Sequence, residues 1–272
     1  MWIFLASVFL FFVHLSTIEC RPNKEEYFLE TSGSRVVGGQ TADAGEWPWQ
    51  VSLQFYYGDS WRHICGGTLI RQNVVLTAAQ CVSGLSVSSL RVAAGMSKIS
   101  EGGMTSGISK ATVHPQFAGS SPGLPNDIAL VELQTPFLVG GSIQLATLPS
   151  SKTEDFSNIA DCWMTGWGKT AGSDPSNSDA LMEAQVTNIR NTQCVNQWTG
   201  INGVTILDSH LCTFELGKSS CSGDIGGPYV CMKDGVFKLA GIMSWGINTC
   251  NGEYPSVCVR VSHFLDWISI SI

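Results

Sequence analysis

The chain has 272 residues, of which 44% are hydrophobic and only 14% are charged. This balance excludes an intrinsically disordered chain, which would be rich in charge and poor in apolar residues. The formal net charge is −7, with no run of Lys or Arg, so we expect neither nucleic acid nor an anionic membrane as a partner. Ten cysteines indicate disulfide bonds and an oxidising compartment.

The N-terminal segment differs in character from the rest of the chain. Trp2–Val13 is an apolar run broken only by Ser7, and a more polar stretch follows it. The run is shorter than the about 20 apolar residues that span a bilayer. We therefore predict a secretory signal peptide over residues 1–20, with cleavage within 16–20, and a secreted protein. A short membrane anchor is the alternative. Residues 21–35 are polar without apolar periodicity, which predicts a linker or propeptide.

Beyond residue 35, short apolar runs alternate with segments rich in Gly, Ser, Asn and Pro. Short strands at regular spacing with turn signals predict an all-β barrel or sandwich. A helix is predicted in His263–Ile272, where apolar residues lie at helical spacing and Ser262 is the candidate cap. The predicted strands lie in Val51–Phe55, Thr68–Ile70, Val74–Ala78, Leu90–Ala94, Ile128–Leu133, Trp163–Trp167, Ala184–Ile189, Val236–Trp245 and Ser256–Val261.

Several short motifs carry more specific information. In chain order they are Arg35–Gly39, Trp47–Leu53, Cys65–Ile70, Leu76–Cys81, Asn126–Leu130, Gly223–Pro228 and Ser244–Gly246. With these motifs the chain resembles the chymotrypsin/trypsin family of serine proteases, most of all its elastase and chymotrypsin branch. The resemblance extends over a domain of residues 36–272. It implies two six-stranded antiparallel β-barrels packed face to face, an active cleft between them and a short C-terminal helix.

The catalytic triad positions implied by the resemblance are degenerate. The family's Thr-Ala-Ala-His-Cys motif has Gln80 in the place of the histidine, and its Gly-Asp-Ser-Gly-Gly-Pro motif has Ile225 in the place of the serine. Only Asp127 remains. A carboxamide is not a base near neutral pH, and isoleucine has no nucleophile. Losing the serine or the histidine costs about 10⁶ in turnover. None of the other histidines, His14, His63, His114, His210 and His263, is expected to replace the base.

The activation machinery of the family is present in the sequence. The resemblance implies cleavage between Arg35 and Val36, after which the new α-amine pairs with Asp224. The alternative role for Asp224 is to cap a local turn. The backbone N–H groups of Gly223 and Ile225 occupy the oxyanion-hole positions.

The peptide-binding positions are only partly those of active relatives. Ser244–Trp245 matches the edge strand that pairs with extended peptides. Ser219 maps to the base of the specificity pocket, and a neutral base disfavours Lys or Arg. Gly246 and Ser256 map to the pocket walls, where Ser256 is expected to narrow the pocket. Cys258 replaces an aromatic residue that usually packs behind it.

Eight of the ten cysteines fall at positions that the family pairs. The two others, Cys20 and Cys258, leave two alternatives, which are a buried, inert Cys258 thiol and a Cys20–Cys258 bridge. No CxxC or HxxxH spacing predicts zinc, and Glu101 is the one carboxylate in the region of the family's calcium loop, so no metal or cofactor is predicted. The implied pairs are Cys65–Cys81, Cys162–Cys231, Cys194–Cys212 and Cys221–Cys250.

The leading functional hypothesis is a secreted, catalytically inactive serine protease homologue that acts by binding another protein. It would serve as a substrate decoy, an inhibitor sink or a cofactor of an active protease, so the expected partner is a protease, an inhibitor or a protease substrate. One alternative is a weakly active or non-standard hydrolase. Another is an abundant structural or storage protein of a secretory fluid. Cleavage after Arg35 is expected to order the Asp224 region and so to regulate binding.

Overall fold

Antiparallel strands form most of the regular structure. The computed structural model describes residues 38–119, 121–157, 159–169, 175–201 and 203–272, so the predicted signal peptide, the propeptide and the Arg35–Val36 bond lie outside the described residues. No helix within those ranges is long and apolar enough to span a bilayer. The strands are β1 (Gln40–Thr41), β2 (Gln50–Tyr57), β3 (Ser60–Arg71), β4 (Val74–Thr77), β5 (Leu90–Ala94), β6 (Met104–Val113), β7 (Ala129–Leu133), β8 (Cys162–Gly166), β9 (Met182–Gln185), β10 (Thr187–Ile189), β11 (His210–Phe214), β12 (Pro228–Lys233), β13 (Val236–Trp245) and β14 (Ser256–Arg260).

The N-terminal half is a closed barrel with the strand order β2-β3-β4-β7-β6-β5. Its interior is filled by aliphatic side chains such as Val51, Leu53 and Leu130, each at most 1% exposed. Burying one such side chain contributes about 1.5–3 kcal/mol to stability. Two glycines of β3 allow close packing. At Gly67 a Cβ would come within 2.7 Å of the Val75 side chain.

The C-terminal half is a curled, eight-stranded sheet in the order β1-β9-β8-β12-β13-β14-β11-β10. The predicted fold class, an all-β double barrel of the trypsin type with a short C-terminal helix, is confirmed. This sheet has eight strands and not six because a short strand is added at each edge. At one edge β1 pairs with β9, and at the other β10 pairs with β11. The second half is therefore a curled half-barrel and not a closed ring of six strands.

Polar contacts tie the two halves together along their facing surfaces. Thr165 Oγ1 of β8 donates to Gln50 Oε1 of β2 at 2.7 Å. Gly66 N of β3 donates to the carbonyl oxygen of Ile225 at 2.8 Å. These contacts bring the Gln80 turn and the 223–228 segment to the same cleft.

Two short α-helices lie in the C-terminal half, α1 (Asn191–Gln197) and α2 (Leu265–Ser271). The prediction of a C-terminal helix is confirmed, but the cap assigned to Ser262 is wrong. A 3-10 turn, Val261–Phe264, precedes α2, and it buries the Ser262 hydroxyl without a hydrogen-bond partner among the described residues. Further 3-10 turns are Ala79–Cys81, Val87–Ser89 and Ile99–Glu101.

Four disulfides cross-link the fold, and they are the four pairs that the resemblance implies. The Cys258 thiol is free and buried, and Cys20 lies outside the described residues. The bridges are Cys65–Cys81, Cys162–Cys231, Cys194–Cys212 and Cys221–Cys250.

Candidate functional site

Three of the predicted site residues meet in one hydrogen-bonded group between the two halves. Gln80 lies in the 3-10 turn after β4, Asp127 lies just before β7, and Ser244 is near the end of β13. These residues are far apart in sequence, with Gln80 and Ser244 separated by 164 positions. The closure of the first barrel and the packing of the second sheet against it bring them together.

Asp127 is fully buried and accepts hydrogen bonds from both neighbours. Its Oδ1 accepts from the Gln80 backbone N–H at 2.9 Å. Its Oδ2 accepts from Gln80 Nε2 at 2.5 Å and from Ser244 Oγ at 2.6 Å. Burial raises the pKa of this carboxyl, and the bonds from Ser244 and Gln80 oppose the rise.

The carboxamide of Gln80 uses its donors on two different acceptors. Besides Asp127 Oδ2, Nε2 donates to the Ser244 backbone oxygen at 2.9 Å. A primary amide has two N–H donors, so both are engaged. The side chain therefore connects the Asp127 carboxylate to β13 and offers no titrating group at this position.

Ile225 presents a hydrocarbon side chain at the nucleophile position. The side chain is partly buried and packs against the core of the first half. Two glycines after it permit the sharp turn. Gly226 has φ +83°, and a Cβ there would come within 2.6 Å of the Gly66 oxygen, while one at Gly227 would come within 2.8 Å of Met243 Cε. No hydroxyl or thiol takes the place of the nucleophile at residue 225.

Asp224 is a second fully buried carboxyl beside the cleft. Its oxygens accept from Gly168 N at 2.8 Å and from Cys221 N at 3.0 Å. Burial raises the pKa of Asp224 to about 7, although the two backbone bonds lower it. Gly166 and Gly168 make space for the carboxyl, since a Cβ at either would clash with it. Sequence analysis did not identify the two glycines that make room for Asp224. The Gly166-Trp167-Gly168 sequence is the pattern that could have indicated them.

Cationic partners of Asp224 are absent from the described residues. Val36, whose α-amine the resemblance assigns to Asp224, lies outside them, as does Arg35. The described residues therefore contain the Asp224 carboxyl of the implied ion pair, and the α-amine of Val36 lies outside them. The alternative role of Asp224 as a local turn cap is compatible with its bond from Cys221 N, three residues earlier.

His63 is the histidine closest to this cleft by its contacts, but both ring nitrogens are engaged. Nε2 lies 2.8 Å from the Gly223 carbonyl oxygen, which can only accept, so Nε2 carries the proton and Nδ1 accepts from Ser52 Oγ at 2.7 Å. Burial lowers the pKa of His63 to about 4, so the ring is neutral at physiological pH. His63 thus positions the Gly223 carbonyl, a role that sequence analysis did not assign.

The other described histidines pack against aromatic rings, and His210 does so beside the cleft, since Trp245 follows Ser244 in β13. His114 lies on Trp267 and His210 beside Trp245, and His263 contacts Phe264. None of them hydrogen-bonds Asp127 within the described ranges. His14 lies outside those ranges.

The specificity-pocket positions are filled by hydrogen-bonded serines. Ser219 Oγ donates to the Cys250 carbonyl oxygen at 2.9 Å, and Ser256 Oγ accepts from Ser220 N at 3.0 Å. Both serines are nearly inaccessible, at 3% and 2% exposure. A Cβ on Gly246 would lie 3.9 Å from Ser256 Oγ. These positions present small, neutral groups, and no acidic residue lies at Ser219.

Behind the pocket positions, the Cys258 thiol and the Tyr229 ring share one buried cluster. Cys258 of β14 is buried in a cluster that also contains Tyr229 of β12, which is 0% exposed. Gly241 of β13 pairs with Tyr229, and a Cβ there would lie 2.9 Å from Cys258 Cβ and 3.5 Å from Tyr229 Cδ1. The Tyr229 hydroxyl has no hydrogen-bond partner among the described residues.

Ser244 and Trp245 lie at the end of β13, which is not an edge strand as expected but lies between β12 and β14 in the sheet. Trp245 Nε1 donates to the Gly123 carbonyl oxygen at 3.0 Å, and its ring packs against Trp198 at 5.4 Å. Clusters of three or more His, Cys, Asp or Glu side chains that could hold a metal ion are absent from the described part of the chain.

Comparison with known proteins gives a consistent family assignment. The Trypsin family profile matches residues 36–268. The chain is 42% identical over 243 residues to a chymotrypsin-like serine proteinase of Haliotis rufescens, covering 86% of this chain and 90% of that protein. It is 36% identical over 241 residues to fibrinolytic enzyme isozyme C of Lumbricus rubellus, covering 86% of this chain and 98% of that protein.

Proposed function

From the premise that the chain belongs to the trypsin family of serine proteases, we propose that it is a secreted, non-catalytic member that acts by binding another protein. The observation that carries the proposal is the Gln80 carboxamide, which fills the histidine position and is bonded to both Asp127 and Ser244. The four disulfides support an extracellular location.

The chemistry of peptide hydrolysis needs a nucleophile and a base that moves a proton. In the family mechanism a histidine takes the serine proton and returns it to the leaving amine. Gln80 can donate and accept hydrogen bonds but cannot carry that proton near neutral pH. Ile225 supplies no oxygen or sulfur to attack a carbonyl, and its side chain, bulkier than that of serine, would crowd the point where the attacked carbonyl must sit. Each change alone costs about 10⁶ in turnover.

The cleft keeps features that can bind extended chains. Ser244–Trp245 lies at the end of β13, as the matched motif implies, and the pocket positions are neutral. An incoming peptide N–H would share the Ser244 oxygen with Gln80 Nε2, which already donates to it. The proposed partner is therefore a protease, an inhibitor or a protease substrate that binds without being cleaved. Binding of this kind is what a substrate decoy, an inhibitor sink or a protease cofactor requires.

Cleavage after Arg35 is the proposed regulator of this binding. Asp224 is buried without a cation among the described residues, and its raised pKa reflects that environment. A new α-amine at Val36 would supply the missing charge. Partner affinity should then be higher for the cleaved chain than for an Arg35→Gln chain that resists cleavage. Equal affinities would contradict this regulation.

The experiment that tests the proposal compares the cleaved wild type with a Gln80→His/Ile225→Ser double variant on a panel of chromogenic peptides. We expect no saturable hydrolysis by the wild type. The double variant should hydrolyse one or more of the peptides. A triple variant that adds Asp127→Ala is the matched control, and it should lose most of that activity.

Two outcomes decide between the proposal and its alternatives. Saturable wild-type hydrolysis that disappears in an Asp127→Ala single variant would refute the proposal and support a weakly active hydrolase. Silence of both the wild type and the double variant would show that the cleft no longer accepts peptides. That result would move the function away from the cleft and favour a structural or storage role.

A further inference from the structure

A cavity of about 250 Å³ lies in the second half, and its lining includes neither Gln80 nor Asp127 nor Ile225. Its walls come from residues 154–157, from the junction of β10 and α1, and from the ends of β11 and β14. The floor includes Phe156 and Leu211, which are 2% and 4% exposed. Nothing in the proposed function uses this cavity, and the inference drawn from it is independent of that proposal.

Arg260 is a charged wall residue with unused donor capacity. Because side chains alternate along a strand, Arg260 lies on the same face of β14 as Cys258, which packs in the interior cluster with Phe156 and Leu211. Its Nε is buried and has no hydrogen-bond partner within the described ranges. A buried donor without an acceptor is unfavourable, and buried polar groups are normally paired. The Nε N–H is thus available to an acceptor in the cavity, while the guanidinium charge also acts on the Asp155 carboxylate and helps to lower its pKa.

Asn188 supplies a second polar group with no partner. It is 8% exposed and lines the same cavity. Its backbone pairs with Thr213 in the sheet, while its side-chain amide makes no hydrogen bond to any other described residue. Arg260 Nε and the Asn188 amide therefore line one cavity without a hydrogen-bond acceptor among the described residues.

The charges at the rim restrict the ligand. Arg190 is exposed at the rim, as are the carboxylates of Asp155 and Asp208. Glu154 is paired with Lys238, 2.7 Å away, and is not available to Arg260. The two exposed carboxylates repel any anion, and they disfavour a dianion such as phosphate more strongly than a singly charged carboxylate, which the guanidinium and the amide can pair.

We propose that this cavity binds a short carboxylate. The carboxylate would lie on the Arg260 guanidinium, which matches it in a bidentate manner, and would accept from the Asn188 amide. The alkyl part would lie on Phe156 and Leu211. Such a group comes from a free short-chain acid or from the C-terminal residue of a peptide, and the same contacts serve both.

The test titrates the folded, disulfide-bonded chain with butyrate and follows backbone amide resonances. Saturable shifts are expected at Leu211 and Asn188, with a dissociation constant of about 1 mM. Arg260→Gln should weaken binding at least about tenfold, and Asn188→Ala about fivefold. Arg62→Gln, on the distant β2–β3 hairpin, is the matched control and should leave binding unchanged. Near-UV circular dichroism checks that each variant is folded. If the Arg260→Gln variant does not fold, the Asn188→Ala variant tests the site on its own.

Parallel titrations identify the source of the carboxylate and can overturn the assignment. A tripeptide ending in a free leucine carboxylate is compared with its C-terminal amide and with inorganic phosphate. Binding of butyrate alone assigns a free acid, and tighter binding of the free tripeptide than of its amide assigns a chain terminus. The proposal is wrong if neither saturates the site, if phosphate binds more tightly than butyrate, or if a folded Arg260→Gln variant binds butyrate as well as the wild type.

Discussion

The buried carboxyl of Asp224 gives the uncleaved chain a stability that falls as pH rises. Its pKa in the folded chain is about 7, against an ordinary value of 3.8. Between these values the folded chain holds a proton that the unfolded chain has released. Raising the pH therefore favours unfolding. A difference of about 3 pH units at about 1.4 kcal/mol each sets an upper bound of about 4 kcal/mol on the stability lost by pH 8.

The perturbation that exposes this effect is Asp224→Asn, in a chain that also carries Arg35→Gln to prevent cleavage. Urea unfolding with intact disulfides at pH 5, 6, 7 and 8 measures both proteins. The amide does not ionise, so the stability of the variant relative to the parent should increase with pH by up to about 1.4 kcal/mol per unit between pH 5 and 7. Any constant cost of placing an amide against the Gly168 and Cys221 N–H groups cancels in that slope.

The control for this experiment is Asp59→Asn in the same Arg35→Gln chain, which removes an exposed carboxyl on the β2–β3 turn. A flat difference for Asp224→Asn would refute the reasoning, since it would place the pKa of this carboxyl near its ordinary value. In the cleaved chain an ammonium partner should depress the pKa. Asp224 would then add to the free energy of unfolding at pH values above its pKa in the unfolded chain. That added stability would be lost as the pH falls through its pKa in the folded chain.

Three further outcomes are expected. Gln80→Ala removes an amide from the buried Asp127 and should lower the free energy of unfolding by about 2 kcal/mol in urea titrations, and an unchanged value would mean that water replaces the amide. Tyr229→Phe removes a buried hydroxyl without a partner among the described residues and should raise that free energy by about 1 kcal/mol, whereas a loss would reveal a partner for the hydroxyl. Burial raises the pKa of the Cys258 thiol. A disulfide reagent at pH 8 should therefore react with no thiol in the folded 36–272 chain and with one thiol after denaturation. Rapid labelling of the folded chain would contradict the burial of Cys258.

Several strands rich in apolar residues were predictable from the sequence, but β11 and β12, which are also mostly buried, lie outside the predicted runs. β5 and β13 coincide with the predicted runs. β6 has only Ser106 and Ile108 buried in ten residues, so it carries almost no apolar signal and was missed. α1 is a seven-residue helix rich in polar side chains, and a disulfide from Cys194 anchors it to β11. Tertiary pairing, and not local pattern, specifies both elements.

The residues of the cleft were identified through motifs, but their contacts were not. The positions of Gln80, Asp127 and Ile225 follow from short matched segments. The bond from Gln80 to the Ser244 oxygen joins residues 164 positions apart, and the bond from His63 to the Gly223 oxygen joins residues 160 apart. Only the three-dimensional packing of the two halves specifies such contacts, so the locked carboxamide and the positioning role of His63 became visible with the structure.

The relation among Tyr229, Gly241 and Cys258 has a consequence for how this sequence can change. The ring on β12 and the small thiol on β14 share the space above a glycine that leaves no room for a Cβ. Introducing an aromatic at residue 258 while Tyr229 remains would place two rings where one fits, and shrinking Tyr229 first would leave a void. Either substitution alone gives a less stable protein, whereas an aromatic at residue 258 together with a smaller residue at 229 conserves the total side-chain volume. The three positions should therefore be strongly epistatic, and tolerated replacements at one should depend on the residues present at the other two.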